Sequence, residues 1–555
     1  MKSTIICLIS AVLLFTAISC NEKSWLKEKP LALLTTDNSF ISESDFAAAI
    51  NRIYGEVRDN IYQSDWHYTA FFNTGTDIGL RNGDGIPNVQ FNDYTNLTPF
   101  MDEVNLLWNG CYQIIASANV VISRIDNPDV PFDSPDKRHQ MKAEALFFRG
   151  LGYRFLVDIY GGVPLIVQEV KSPLRNFTRA SKEDVLNQII ADLSYAADSL
   201  PDVTKVEADG KLCKAAANHL LAEIYNTAGQ YDKAVAAASR VIDNPNFHLM
   251  TTRFGNYTAK PGDVYSDLFQ FGNQNRQGGL NTEAIWVCES EPDVPGGGMT
   301  PRNERYIGPA YYQIQDSEGR PLFIGPTASH GGRGISWTGM TDYADSIIWE
   351  KSGWDDMRTS GYNILRDRIC DNPASPYYGQ AVLANHLVPE KYFAQETWNP
   401  SFMKNVPFQN YPERYVMNQT TGLLSGSAGR IDPDNYIMRL AETYLLRAEA
   451  YIGKKDFVKA AEDINVVRAR AHAKPVDPAE VNIDYLLDER ARELIWEEPR
   501  RLVLARMGKL VDRVKQYNRL SKSTIKDFNG LWPIPYSEIE NNTEATIPQN
   551  PGYTN

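Results

Sequence analysis

The clearest periodic stretch is HLLAEIYNTAGQYDKAVAAASRVIDNPN, His219 to Asn246. Leu220, Leu221, Ile224, Tyr225 and Ala228 recur at helical spacing, Gly229 interrupts them, and Ala234, Ala238, Val241 and Ile242 resume the pattern. The spacing predicts a helical hairpin. Small Ala222 and Ala234 would let two antiparallel helices approach, with Tyr225 and Tyr231 filling the adjoining gaps. An echo follows 226 positions later, where Ala448, Glu449, Tyr451, Phe457, Lys459 and Ala460 replace Ala222, Glu223, Tyr225, Tyr231, Lys233 and Ala234. A lone hairpin cannot bury its apolar face, so two in one register predict a stack of tetratricopeptide-like pairs.

The same spacing predicts helices over 45–62 (Phe46, Ile50, Ile53, Val57), 101–125 (Val104, Leu107, Trp108, Cys111) and 136–160, the last stopped by Gly161-Gly162 and Pro164. Ser181 with Asp184 reads as a capping start for a further helix. Helical patterning resumes near 435 and again from 483 to about 513. It lapses over 63–99 and 247–434, stretches rich in Gly, Asn and aromatics, and five of the ten Trp fall in the second. Structureless loops of that length are uncommon, so short strands are expected there, 283–290 among them. The expected division is a signal peptide over 1–19, a tether over 20–39, a helical region over 40–246, a loop-rich ligand-binding insertion over 247–434, and a helical region with an irregular tail over 435–555.

The N-terminus adds a location. Lys2 precedes an apolar run from Ile5 to Ile18, shorter than the roughly 20 residues of a membrane span and suited to a secretory signal. It ends in Ala17-Ile18-Ser19-Cys20, which resembles a bacterial lipobox with Ala17 in the usual Leu position, so Cys20 is the expected lipidation site. The net charge of −13, with no basic cluster, argues against nucleic acid. Cys111, Cys213, Cys288 and Cys370 show no CxxC spacing and are expected as buried free thiols.

Chemistry is sparse. No HExxH, GxSxG, Walker or GxGxxG pattern occurs, and no cofactor is expected. The stretch from Leu80 to Phe91 brushes a calcium loop but has Leu80 and Phe91 at its first and twelfth positions, so no metal site is expected. What stands out is aromatic residues in loops beside planar hydrogen-bonders: Trp66, Asp77, Arg81, Asn82, Trp337, Tyr343 and Trp354 are the candidate ligand-binding residues. A sugar ring has an apolar face and a hydroxyl rim, and an aromatic plate covering about 40 Å² of that face contributes about 1 kcal/mol. Trp108 and Trp496, on helical faces, are expected in the core.

Several segments together resemble the SusD/RagB family of Bacteroidetes outer-membrane lipoproteins. They are the lipobox at Cys20, AEALFFRGLGYRFLVDIYGGVPL from Ala143, RLAETYLLRAEAY from Arg439, DERARELIWEEPRRLVLARMGKL from Asp488, and the closing PIPYSEIENN with QNPGY. Pro499 and Val503 depart from the family's Gly and Asp. The resemblance implies a mainly α fold of tetratricopeptide-like helical pairs with a large irregular region packed on them. It also implies a surface-exposed, lipid-anchored protein of the outer membrane that binds oligosaccharide or polysaccharide and delivers it to a SusC-like TonB-dependent transporter, and that is not an enzyme. Peptide capture, glycoside hydrolysis and a purely structural scaffold are the alternatives. The family's ligand region varies too much for its residues to be carried over, so the aromatic candidates rest on composition.

Overall fold

The computed structural model describes residues 39–63, 67–81, 91–291, 294, 296–297, 303–394, 397–406, 408, 410–429 and 434–554. Cys20, Trp66 and Asn82 therefore lie outside the described residues. The first helices are α1 (Glu43–Val57), α2 (His67–Phe72), α3 (Asp102–Arg124), α4 (Pro135–Tyr160), α5 (Lys182–Ser199), α6 (Lys214–Thr227) and α7 (Tyr231–Ile242). Except for α2, which lies within the stretch read as loop, they form where the spacing predicts. The Ser181 hydroxyl accepts from the Asp184 amide at 3.0 Å and starts α5. Helix α4 is the spine, with every residue from Ala143 to Tyr160 buried, and α3 and α5 pack against it. A Cβ on its Gly152 would stand 2.9 Å from Ile115, so glycine there sets how closely α3 approaches.

The strands are short: β1 (Gly79–Leu80), β2 (Ala284–Cys288), β3 (Gly339–Met340), β4 (Ile364–Leu365), β5 (Ser401–Phe402), β6 (Val416–Asn418), β7 (Leu423–Leu424) and β8 (Asn435–Arg439). They pair as antiparallel couples, β1 with β3, β2 with β8, β4 with β5 and β6 with β7. Short helices α8 (Asn303–Ile307) and α9 (Ile348–Ser352) lie between them. Small apolar clusters, around Phe269 and Met403, Tyr343 and Trp349, and Tyr311 and Trp398, pack this region.

Strand β8 occupies the place where helix was expected to resume, because its backbone completes a ladder with β2. The echo then appears as α10 (Leu440–Gly453) and α11 (Phe457–Arg470), each displaced by 226 positions from α6 and α7. Details repeat as well. Gly229 and its counterpart Lys455 both take left-handed φ, at 69° and 61°, and Lys233 and Lys459 lie over Tyr225 and Tyr451 at 5.6 and 5.5 Å. Helix α10 packs on both α7 and α11, continuing one stack. The single helix expected over 483–513 is three: α12 (Ile483–Leu494), α13 (Arg500–Arg506) and α14 (Leu510–Tyr517). Trp496 at φ 63° and Pro499, which lacks an amide hydrogen, break the first junction, and Gly508 at φ 66° breaks the second.

Buried charge ties these parts together. Arg358, 0 % exposed, donates to Asp356, to Glu489 at 2.8 Å and to Glu493 at 3.0 Å. Arg439 reaches Glu283 at 2.8 Å, Glu493 at 2.6 Å and Glu497 at 2.7 Å, while Arg470 bridges Glu283 and Glu493. Burial opposes ionisation of Glu493, but Arg470, Arg439 and Arg358 outweigh it and hold the carboxyl down to about 2. Removing one partner from such a cluster leaves the others desolvated and short of one charge. Glu493→Ala is expected to lose about 3–5 kcal/mol of stability in urea unfolding; a loss below about 1 kcal/mol would show that the cluster is not a structural requirement.

Asp158 of α4 is the opposite case. It is 1 % exposed, neither carboxylate oxygen has a hydrogen-bond partner, and burial raises it to about 6. The folded chain therefore keeps a proton that the unfolded chain releases between about pH 4 and 6, so stability falls as pH rises through that window. Asp158→Asn is expected to be about 1–3 kcal/mol more stable than the parent near pH 7.5, with the difference vanishing near pH 4 in paired denaturant titrations.

Candidate functional site

Over residues 73–81 the loop after α2 carries no regular structure of its own beyond β1, and the C-terminal helices hold it in shape. Arg501 donates to the Phe71 carbonyl at 2.7 Å and to the Tyr94 hydroxyl at 2.6 Å. The Asn518 amide donates to the Thr76 carbonyl at 2.7 Å and the Gly79 carbonyl at 3.0 Å. Arg500 holds both oxygens of Asp77, at 2.9 and 2.7 Å, and Arg513 adds a third contact at 2.7 Å. With its backbone carbonyls and its one carboxylate engaged, the loop presents Arg81 in a defined place.

Arg81 directly follows β1, and its backbone is clamped by Asn92, whose Oδ1 accepts from the Arg81 amide at 2.9 Å and whose amide donates to the Arg81 carbonyl. The pairing of Leu80 with Gly339 brings Trp337 alongside. The guanidinium carbon lies 5.8 Å from the Trp337 ring centre. Trp337 is half-buried and stacks on Tyr306 of α8, with centroids 4.6 Å apart at 28°. Helix α8 is fixed in turn, since Thr69 donates to Asn303 at 2.8 Å and the Thr338 amide donates to the Tyr306 carbonyl at 2.8 Å. Arg81 is 5 % exposed, yet its Nε and Nη2 have no hydrogen-bond partner, and burial lowers it to about 10. A half-buried tryptophan beside a guanidinium whose Nε and Nη2 have no hydrogen-bond partner among the described residues is a pairing that suits a ring apolar on one side and hydroxylated at its edge.

The other predicted residues fare differently. Asp77 is 0 % exposed and belongs to the Arg500–Arg513 cluster; burial opposes its charge, and the two guanidiniums hold it at about 2 all the same. It positions the loop and does not face a ligand. Tyr343 is likewise buried, donating to Asp488 at 2.6 Å and stacked on Tyr517 at 4.2 Å, so it is a core residue. Trp354 is 53 % exposed, with Arg366 over its ring at 5.2 Å. Tyr306 is not legible in the sequence, because the tyrosines of NERYIGPAYY follow no helical or strand period.

An enclosed polar cavity of about 30 Å³ between Arg154, His219, Glu223, Arg439, Glu442 and Glu497 has room for a water and no more. Among the described residues no group of three or more His, Cys, Asp or Glu is placed to hold a metal ion. The four cysteines Cys111, Cys213, Cys288 and Cys370 are free and buried.

Two family models match the chain: one described as "Starch-binding associating with outer membrane" over residues 24–226, and the SusD family over residues 283–553. The chain belongs to the SusD/RagB family. A SusD-like protein of Formosa agariphila is 24 % identical over 96 % of this chain and 95 % of its own length. The starch-binding protein SusD of Bacteroides thetaiotaomicron is 34 % identical over 22 % of each chain. Among solved structures, a laminarin-binding SusD-like protein superimposes with a TM-score of 0.66 at 24 % identity, covering 92 % of this chain and 100 % of that one. A SusD homolog from Bacteroides thetaiotaomicron gives a TM-score of 0.69 at 19 % identity, covering 93 % and 98 %. At these identities the superpositions establish the SusD fold: a mainly helical stack with an irregular region packed on it.

In that fold a nearly buried guanidinium with two nitrogens unpartnered among the described residues is a liability to the ligand-free protein. Arg81→Met keeps the stem against Trp337 and removes the charge. It is expected to raise ligand-free stability by about 1 kcal/mol in thermal unfolding; a lower melting temperature would show that Arg81 is a structural residue.

Proposed function

We infer that this SusD/RagB protein is a cell-surface glycan-binding lipoprotein, anchored through Cys20 in the outer membrane, which captures oligosaccharide and delivers it to a SusC-like TonB-dependent transporter without cleaving it. The observation that carries the reading is the Arg81–Trp337–Tyr306 platform, an aromatic stack flanked by a guanidinium with two idle donors. The insertion over 247–434 supplies Tyr306 and Trp337, and the N-terminal region supplies Arg81. Relatives with the same fold are named for binding starch and laminarin, which supports a glycan as ligand. The lipobox-like Ala17-Ile18-Ser19-Cys20 supports attachment through a lipidated Cys20.

Hexose-based polymers are the first probes. The purified protein lacking its first 19 residues is expected to be retarded in native gels containing laminarin or starch, and Trp337→Ala is expected to weaken calorimetric affinity about tenfold, the equivalent of about 1.4 kcal/mol. Unchanged affinity would remove the platform assignment, and new reducing ends after incubation with the bound glycan would replace binding by hydrolysis.

A further inference from the structure

An open groove of about 940 Å³ runs between the turn around Tyr257 and the β6–β7 hairpin, and its lining includes neither Arg81, Tyr306 nor Trp337. Its size lies at the upper end of ordinary ligand sites. We propose that this groove is a second binding site, for an uncharged oligosaccharide, so that one glycan chain engages the protein at two places. The inference rests on the glycan-binding reading and extends it to residues outside the platform.

Three polar atoms argue that the groove is built for a ligand. Asn410, 8 % exposed, donates its amide to Gln270 at 2.8 Å, while its Oδ1 has no partner. Asn275 donates to Asp434 at 2.9 Å and leaves its own Oδ1 unpartnered. The Ser290 amide donates to the other oxygen of Asp434 at 2.9 Å, and its hydroxyl is idle. All three residues line the groove. The two Asn side chains are each held by one hydrogen bond through the amide nitrogen, the Ser290 hydroxyl is free to turn, and each keeps an acceptor, or a hydroxyl, without a partner among the described residues, the kind of group a sugar hydroxyl pairs with.

The rest of the lining fits the same chemistry. The half-buried rings of Tyr257 and Phe271 provide apolar faces, and Gln419, Thr420 and Thr421 form a polar rim on the β6–β7 turn. Charge narrows the ligand further: among the described residues the lining carries Glu291, Glu413 and Asp434 against Lys260 and Arg414, a balance that offers no excess of cations to a sulfated or uronic polymer. Asn275, Ser290, Glu291 and Asp434 also wall an adjoining cleft of about 570 Å³ that leads toward Arg58 and Trp286, giving room for more than one sugar unit. Tyr411, at the groove, donates to Glu304 at 2.9 and 3.1 Å on the helix that carries Tyr306. Platform and groove thus share α8 as a common support, which suits simultaneous engagement of one polymer.

The test compares the parent, Trp337→Ala, the pair Tyr257→Ala with Gln419→Ala, and all three together, on native gels and by calorimetry with laminarin and starch, with melting curves to confirm folding. Two sites predict that each single-site variant keeps weak binding, about tenfold below the parent or lower, and that the combined variant loses it. Abolition of all binding by Trp337→Ala alone, or parent-like binding by the groove pair, overturns the second site and leaves the glycan reading standing. If the parent binds no glycan probe, both fall together. If a casein peptide digest stabilises Trp337→Ala but not the groove pair, the groove is a peptide site and the proposal fails.

Discussion

Two carboxylates of α12, Glu489 and Glu493, lie about one helical turn apart with no access to water, and guanidiniums from distant parts of the chain converge on them. Arg358 comes from the insertion, Arg439 from the end of β8, and Arg468 and Arg470 from the second hairpin. Each charge is desolvated, so none of these segments withdraws without stranding a partner. This explains how a region with little regular structure is held to a helical stack. The irregular region between α7 and β8 has apolar clusters, one of them shared with Ala491, Ile495 and Trp496, and the buried ions add contacts whose geometry admits few alternatives.

The duplicated hairpins show the same principle at the level of the repeat. Glu223 takes Arg154 in a two-point grip at 2.6 and 2.9 Å, and its counterpart Glu449 takes Arg506 at 2.6 and 2.7 Å. The two arginines come from α4 and α13, unrelated helices that pack on each other. What repeats is therefore a socket in the hairpin and not the element that fills it. A buried carboxylate facing outward from the small-residue side of a hairpin selects a guanidinium neighbour, whichever helix brings it.

The stack was legible because helical period is a local property: Gly229, the Ala222–Ala234 approach and the register shared with Ala448 all lie within short windows. The break after Leu494 was not, since Pro499 sits inside a pattern that otherwise reads as continuous helix. The site was legible only as composition. Arg81 and Trp337 meet through strands of two residues each, too short to show alternation. Asp77 and Tyr343 carry the right chemical groups for sugar recognition, and what removes them is burial against Arg500 and Arg513, partners far away in sequence. Hydrogen-bonding capacity is a property of a residue, whereas availability is a property of the fold.

The Asp77–Arg500 contact spans 423 positions. The loop that presents Arg81 is made early in the chain, but the side chains that shape it arrive almost at the end, and closing so large a loop precedes any reward from the contact. The place of Arg81 therefore depends on contacts between the two ends of the chain. A chain interrupted beyond α11 would lack Arg500, Arg501 and Arg513, and with them the contacts that shape the Arg81 loop.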